Sequence, residues 1–142
     1  MLHAANIAAL APVIALALWT HVMGLWMVAT RVPAIRAARM RLDPSAPRGA
    51  QMATLPARVR WKADNYNHLM EAPTVFYAVA LVLAWVEPTP VHCALAWSYV
   101  GARVVHSIWQ AMVNHIPTRF MLFVLSNVIL MVMTVRAAIA VF

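Results

Sequence analysis

The chain has 142 residues, of which 64% are hydrophobic and 11% are charged, and its formal net charge is +7. Such an apolar composition is typical of an integral membrane protein. Because one spanning helix needs roughly 20 apolar residues, the chain has room for about four spans, which excludes a separate soluble domain.

Apolar runs in chain order predict helices at about residues 4–30, 64–86, 91–114 and 118–142. The first run ends at Arg31, and the second ends before a proline pair that begins after Glu87 and cannot continue a helix. Pro117 opens the last run, where proline is well tolerated. We therefore predict an all-α, integral membrane four-helix bundle with up-down-up-down topology, in which residues 1–142 form a single domain.

The long connection, residues 31–62, carries a strong excess of positive charge. It contains eight Lys and Arg residues and a single acid, Asp43. Positively charged connections stay on the cytoplasmic side, so both termini are expected to face away from the cytoplasm. The cations flank spans and have no soluble fold to present them to nucleic acid, so we expect them to contact membrane lipids instead.

Polar residues within two of the predicted helices recur every three or four positions. In the second helix they are Asp64, Asn67 or His68, and Glu71. Residues at this spacing share one face of a helix, so they form a stripe. A second stripe on the third helix consists of Arg103, His106, Gln110 and Asn114.

The two stripes are expected to lie at similar depth. At ~1.5 Å per residue, Glu71 lies about 10 Å in from Asp64, and His106 lies about 12 Å in from Asn114. An ionisable side chain inside a bilayer costs a few kcal/mol and survives mainly where it faces a partner or a ligand. The stripes therefore predict a polar cavity open to the cytoplasm. The plainer alternative is that Glu71 pairs with Arg103 and only fixes helix packing.

The residue types in this cavity indicate the class of ligand. Arg31, Arg103 and Arg119 can hold carboxylates through forked hydrogen bonds, and Glu71 can hold an ammonium group. Arg119 begins the fourth helix, where a cation opposes the helix dipole unless an anion lies beside it. These features predict a small zwitterionic or anionic ligand.

The histidines allow a further alternative. His68, Glu71 and His106 are candidate metal ligands, and His21 with His106 are candidate haem ligands. Dinuclear sites in helix bundles draw glutamates from several helices, whereas this chain offers one inside a span, and His21 lies nearer the middle of the membrane. We therefore predict no metal site.

Three segments, NHLMEAPTVFYAVAL, LAWSYVGARVVHSIW and NHIPTRFMLFVLS, resemble the bacterial branch of the MAPEG family, the membrane-associated proteins in eicosanoid and glutathione metabolism. The resemblance covers essentially the whole chain. It implies a homotrimer in the bacterial inner membrane, with glutathione as co-substrate between neighbouring subunits at the cytoplasmic side. A lipophilic small-molecule substrate would approach from the bilayer.

The resemblance also implies roles for individual residues in a glutathione-dependent transferase or peroxidase. A cation near the thiol would stabilise the nucleophilic thiolate, a role expected of Arg31 or Arg119, with His106 as a proton acceptor. The residues expected to bind glutathione are Asn67, His68, Glu71, Arg103, Gln110 and Asn114.

The chain departs from the family pattern at several of these places. Asp64 stands where the glutathione transferases of the family have arginine, and His68 stands where they have asparagine, with Asn67 displaced by one. His106 and Gln110 replace tyrosines. These departures favour the alternative of a non-catalytic scaffold, lipid-binding protein or accessory subunit that retains the fold.

Overall fold

The computed structural model describes residues 4–142, and its side chains are described from Ile7 onward. The helices are α1 (Ala4–Ala37), α2 (Ala50–Ala53), α3 (Ala57–Glu71), α4 (Thr74–Val86), α5 (Pro90–Met112) and α6 (Ile116–Val141). Helix α1 packs against α3, α4 and α5, while α6 packs against α4 and α5. The described chain is an all-α bundle, as its apolar runs predict.

Three parts of this bundle have the length and apolar character of membrane spans. Helices α1 and α6 meet both requirements, and α3 with α4 meets them as one span bent by about 40°. Helix α5 is 23 residues long but is less apolar, because one of its faces is polar. That face points into the protein.

The bend between α3 and α4 lies at Pro73 and corrects the prediction of one continuous helix over residues 64–86. Proline has no N–H to bond the carbonyl one turn earlier, and its ring clashes with that carbonyl. The hydroxyl of Thr74 bonds the carbonyl oxygen of Glu71 at 3.0 Å across the break. As a result, the apolar face of α4 does not continue in register along α3.

Helix α1 extends past its predicted end at residue 30 to Ala37. A charged residue ends an apolar run but not a helix, since arginine is a good helix former. The helix ends where Arg39 adopts a left-handed backbone with φ 47°. The connection predicted over residues 31–62 is therefore confined to residues 38–56, which include the short helix α2.

The core lies where α1, α4, α5 and α6 meet. The rings of Phe76 and Tyr99 stack with centroids 4.4 Å apart and planes inclined by 13°. Leu16, Met23 and Met133 are fully buried beside other apolar residues. This core fixes α5 against α1 and α4, and thereby sets the direction of the polar face of α5.

A polar cluster joins the helices at the end of the bundle opposite the long connection. His92 is buried, and its Nδ1–H donates to the carbonyl oxygen of Glu87 at 2.6 Å. Its Nε2 accepts from the Nε–H of Arg136 on α6 at 2.8 Å. The imidazole thus links the α4–α5 connection to α6 in a single tautomer.

Replacing His92 by alanine is expected to reduce stability by about 1–3 kcal/mol, because it leaves the Arg136 donor and the Glu87 carbonyl without their partner. The midpoint of thermal unfolding in detergent measures the effect. His21→Ala, which removes an exposed imidazole, is the control. Equal shifts for the two variants would contradict the assigned role.

Candidate functional site

The polar face of α5 lies buried against α3. Arg103, His106, Ser107 and Gln110 are each no more than 3% exposed. Their spacing of three or four residues places them on one side of the helix, as predicted for three of them. Helix α3 contributes His68, and α6 contributes Arg119 and two phenylalanines.

Arg103 is the most deeply buried charge in this cluster, with 1% of its surface exposed. Its Nη2 lies 3.1 Å from Nδ1 of His68. Because a guanidinium can only donate, the imidazole Nδ1 accepts and its proton resides on Nε2. In the described part of the chain no carboxylate lies within 4 Å of Arg103, so its positive charge has no ionic partner there.

The two histidines form the floor of the site. The ring of His68 lies 5.0 Å from that of His106 and 5.7 Å from that of Phe123, centroid to centroid. Nδ1 of His106 is buried without a hydrogen-bond partner. This arrangement places two imidazoles beside one guanidinium and, among the described residues, no carboxylate, which suits a negatively charged ligand.

Arg119 closes the other side of the site. Its Nη1 donates a hydrogen bond to Oδ1 of Asn114, while its Nε is buried without a partner. Asn114 has φ 56°, a left-handed conformation that asparagine tolerates better than most residues, and its N–H bonds the carbonyl of Trp109 at 2.8 Å. The turn after α5 therefore aims an amide at Arg119 and fixes the guanidinium.

A cavity of about 240 Å³ lies within this arrangement. Its lining consists of His68, His106, Ile116, Arg119, Phe120 and Phe123. The charge at its wall is a cation in the first turn of α6, where the helix dipole also attracts anions. The cavity therefore combines a cationic wall with apolar aromatic surface.

The predicted stripe on the second helix is placed differently. Asp64, Asn67 and Glu71 are exposed on the outer face of α3, and Glu71 does not pair with Arg103. The face of α3 that meets α5 carries Asn65, His68 and, one residue further on, a buried leucine. The spacing of the polar residues was compatible with either Asn67 or His68 on the inner face of α3. The apolar face of α4 could not decide between them, because the bend at Pro73 separates the two helices.

The other residues predicted for the site, Arg31, Gln110 and Asn114, do not line the cavity. Arg31 on α1 is half-buried with its Nε unpaired, but it does not line the cavity. Gln110 is buried, and its Oε1 has no hydrogen-bond partner. Asn114 does not line the cavity, but its Oδ1 accepts a hydrogen bond from Arg119, which does. Within residues 4–142 no group of three or more His, Cys, Asp or Glu side chains is arranged to hold a metal ion.

Sequence reasoning missed one contact that positions the site. Asn65 is fully buried, and its Nδ2 donates to Oγ of Ser107 at 2.7 Å, joining α3 to α5 next to His68 and His106. The signal was present in the sequence, because Asn65 precedes His68 by three residues and Ser107 follows Arg103 by four.

Comparison with known proteins gives one result for this chain. Neither the curated proteins nor the solved structures contain a match to it. The model of the MAPEG family matches residues 9–139, which is nearly the whole chain. The match includes every residue of the cavity wall. The chain therefore belongs to the MAPEG family of membrane proteins.

Proposed function

We propose that this protein is a glutathione-dependent transferase that acts on lipophilic electrophiles. The observation that carries the proposal is a cavity lined by Arg119 and by His68, with Arg103 buried behind His68. Neither arginine has a carboxylate partner in the described residues. A buried cation of this kind is costly unless an anion compensates it. Glutathione offers two carboxylates for the guanidinium groups and a thiol for the reaction.

The proposed chemistry is nucleophilic substitution by the thiolate. Arg119, together with Arg31 of the same or a neighbouring subunit, stabilises the sulfur anion, and His106 accepts the thiol proton before passing it to solvent. The sulfur then forms a bond to an electrophilic carbon, and the leaving group departs with its electron pair. Phe120 and Phe123 offer apolar surface to the electrophile.

The site of a single chain is smaller than glutathione requires, which favours a homotrimer with the ligand between subunits. Ligand pockets commonly occupy about 300–1,000 Å³, more than the 240 Å³ found here. Asp64, Asn67 and Glu71 are exposed on the outside of a helix in a membrane span, where polar side chains need cover. A neighbouring subunit would cover them and bring Asn67 and Glu71 to the ligand.

The proposed orientation follows from the position of the cavity along the bundle. Nζ of Lys62 lies 3.4 Å from the carbonyl oxygen of Ala111, so the start of α3 and the end of α5 meet at the end that bears the basic connection. Asn114 and Arg119 belong to the same end. If that connection is cytoplasmic, as its charge predicts, the cavity opens toward cytoplasmic glutathione and both termini lie on the opposite side.

Arg119→Gln is expected to raise the KM for glutathione roughly 10- to 100-fold, because hydrogen bonds to charged groups contribute about 1.5–3 kcal/mol. Conjugation of glutathione to a chlorinated nitrobenzene, followed by absorbance, measures this effect. Arg48→Gln removes one exposed arginine from the connection and is the matched control. An unchanged KM in Arg119→Gln would contradict the proposal.

Asn114→Gly tests whether Arg119 must be held in place. Glycine accepts the left-handed backbone at this position, so the turn is retained while the amide that binds Arg119 is lost. We expect the KM to rise several-fold, less than in Arg119→Gln, at unchanged thermal stability. A KM equal to that of the unmodified protein would show that Asn114 does not position the guanidinium.

A second candidate, a non-catalytic scaffold, is favoured by the contact between His68 and Arg103. The imidazole of His68 accepts a hydrogen bond from an N–H of Arg103 that could otherwise be donated to a ligand carboxylate. His68→Asn restores the residue typical of the glutathione transferases of the family and separates the two candidates. Glutathione binding by this variant alone would support the scaffold, whereas binding by both forms would support the enzyme.

A further inference from the structure

The connection between α1 and α3, residues 38–56, is an ordered segment that we call the basic strap. Gln51 holds its two halves together, since its Nε2 donates to the carbonyl of Arg41 at 2.8 Å and its Oε1 accepts from the N–H of Asp43 at 3.2 Å. Leu55 is buried and anchors the far end of the strap. The strap therefore presents its outward side chains in a defined arrangement.

The arginines of the strap face outward without ionic partners. Arg39, Arg41 and Arg48 are exposed, and in the described residues none of them lies within 4 Å of a carboxylate. The acid of the strap, Asp43, accepts hydrogen bonds from the N–H and Oγ of Ser45 at 2.8 and 2.6 Å. These bonds hold the pKa of Asp43 below its ordinary value and direct its carboxylate to a local partner.

Arg39 occupies a left-handed backbone position, which is unfavourable for residues that have a Cβ atom. The N–H of Arg39 bonds the carbonyl of Arg36, and the N–H of Met40 bonds that of Ile35, which is the hydrogen-bond pattern that terminates helices with a left-handed residue. Glycine is the residue that this position favours, yet the chain has arginine with φ 47°. A strained position that keeps a cation suggests a use for that cation.

An apolar side chain lies among these charges. Leu42, next to Arg41, has 63% of its surface exposed although it lies in a polar connection. The strap starts and ends on helices of the membrane bundle, so it lies beside the headgroup region of one leaflet. Cations that flank an exposed apolar side chain match a surface with anionic headgroups above acyl chains.

We propose that the basic strap binds anionic phospholipid headgroups of the adjacent leaflet, with Arg39 and Arg41 on the phosphates and Leu42 inserted between the lipids. This binding would fix the strap against the membrane surface, and with it the beginning of α3, the helix that carries His68 of the ligand cavity. It does not depend on the proposed transferase activity.

The experiment uses the full-length protein in mixed micelles that contain equal amounts of phosphatidylglycerol and phosphatidylcholine. Native mass spectrometry counts the lipids of each kind that remain bound. We expect a clear preference for phosphatidylglycerol in the unmodified protein. Equal retention of the two lipids would overturn the proposal, and so would release of phosphatidylglycerol by inorganic phosphate at equal concentration, because the site would then bind free phosphate.

The variant Arg39→Gly with Arg41→Gln is expected to reduce the preference by about fivefold for each arginine removed. Glycine relieves the backbone at position 39, so this variant retains its fold, and thermal unfolding verifies that it does. Arg58→Gln with Arg60→Gln removes the same charge from the start of α3 and is the matched control. An equal loss in the control would overturn the assignment to the strap.

Gln51→Ala provides a test that changes no charge. It releases the two halves of the strap from each other while every arginine remains. We expect the preference for phosphatidylglycerol to fall, because the side chains are no longer presented together. A preference equal to that of the unmodified protein would contradict the requirement for an ordered strap.

Discussion

Arg103 carries a permanent positive charge into the interior of the bundle, and its hydrogen-bond partner there is an imidazole, not a carboxylate. An uncompensated buried charge costs several kcal/mol, so the surrounding structure has to supply hydrogen bonds, a ligand, or both. The neighbouring features serve this need. His68 accepts from the guanidinium. Arg119 at the wall of the neighbouring cavity adds a second positive charge, so an anionic ligand in the cavity would compensate both.

The fold places these groups through a few local features. Pro73 bends the α3–α4 span, so that α3 presents His68 and Asn65 to α5 while α4 packs on the apolar core. The left-handed turn at Asn114 reverses the chain between α5 and α6 and holds Arg119. These features give the cavity its geometry, and the stacking of Phe76 on Tyr99 packs α4 against α5.

The all-α bundle, and the face of α5 that contributes to the site, could be predicted from the sequence. The spacing of Arg103, His106 and Gln110 placed them on one face of α5, because a single regular helix carries that register along its length. The same reasoning failed on α3. There the polar residues lie before the bend at Pro73. The buried face of the apolar helix after the bend therefore does not indicate which side of α3, including Glu71, is buried. Asp64, Asn67 and Glu71 are exposed in the single chain, and the periodicity of one chain does not indicate what lies beside them.

The guanidinium groups of Arg103 and Arg119 are the central part of the proposed site for an anionic thiol peptide. Calorimetric titration of the purified protein with glutathione tests it without any assumption about the electrophile. We predict saturable binding with a Kd at or below millimolar glutathione, and loss of that binding in an Arg103→Gln variant that retains its fold. Absence of binding heat with the unmodified protein, or equal binding by Arg103→Gln, would contradict this prediction.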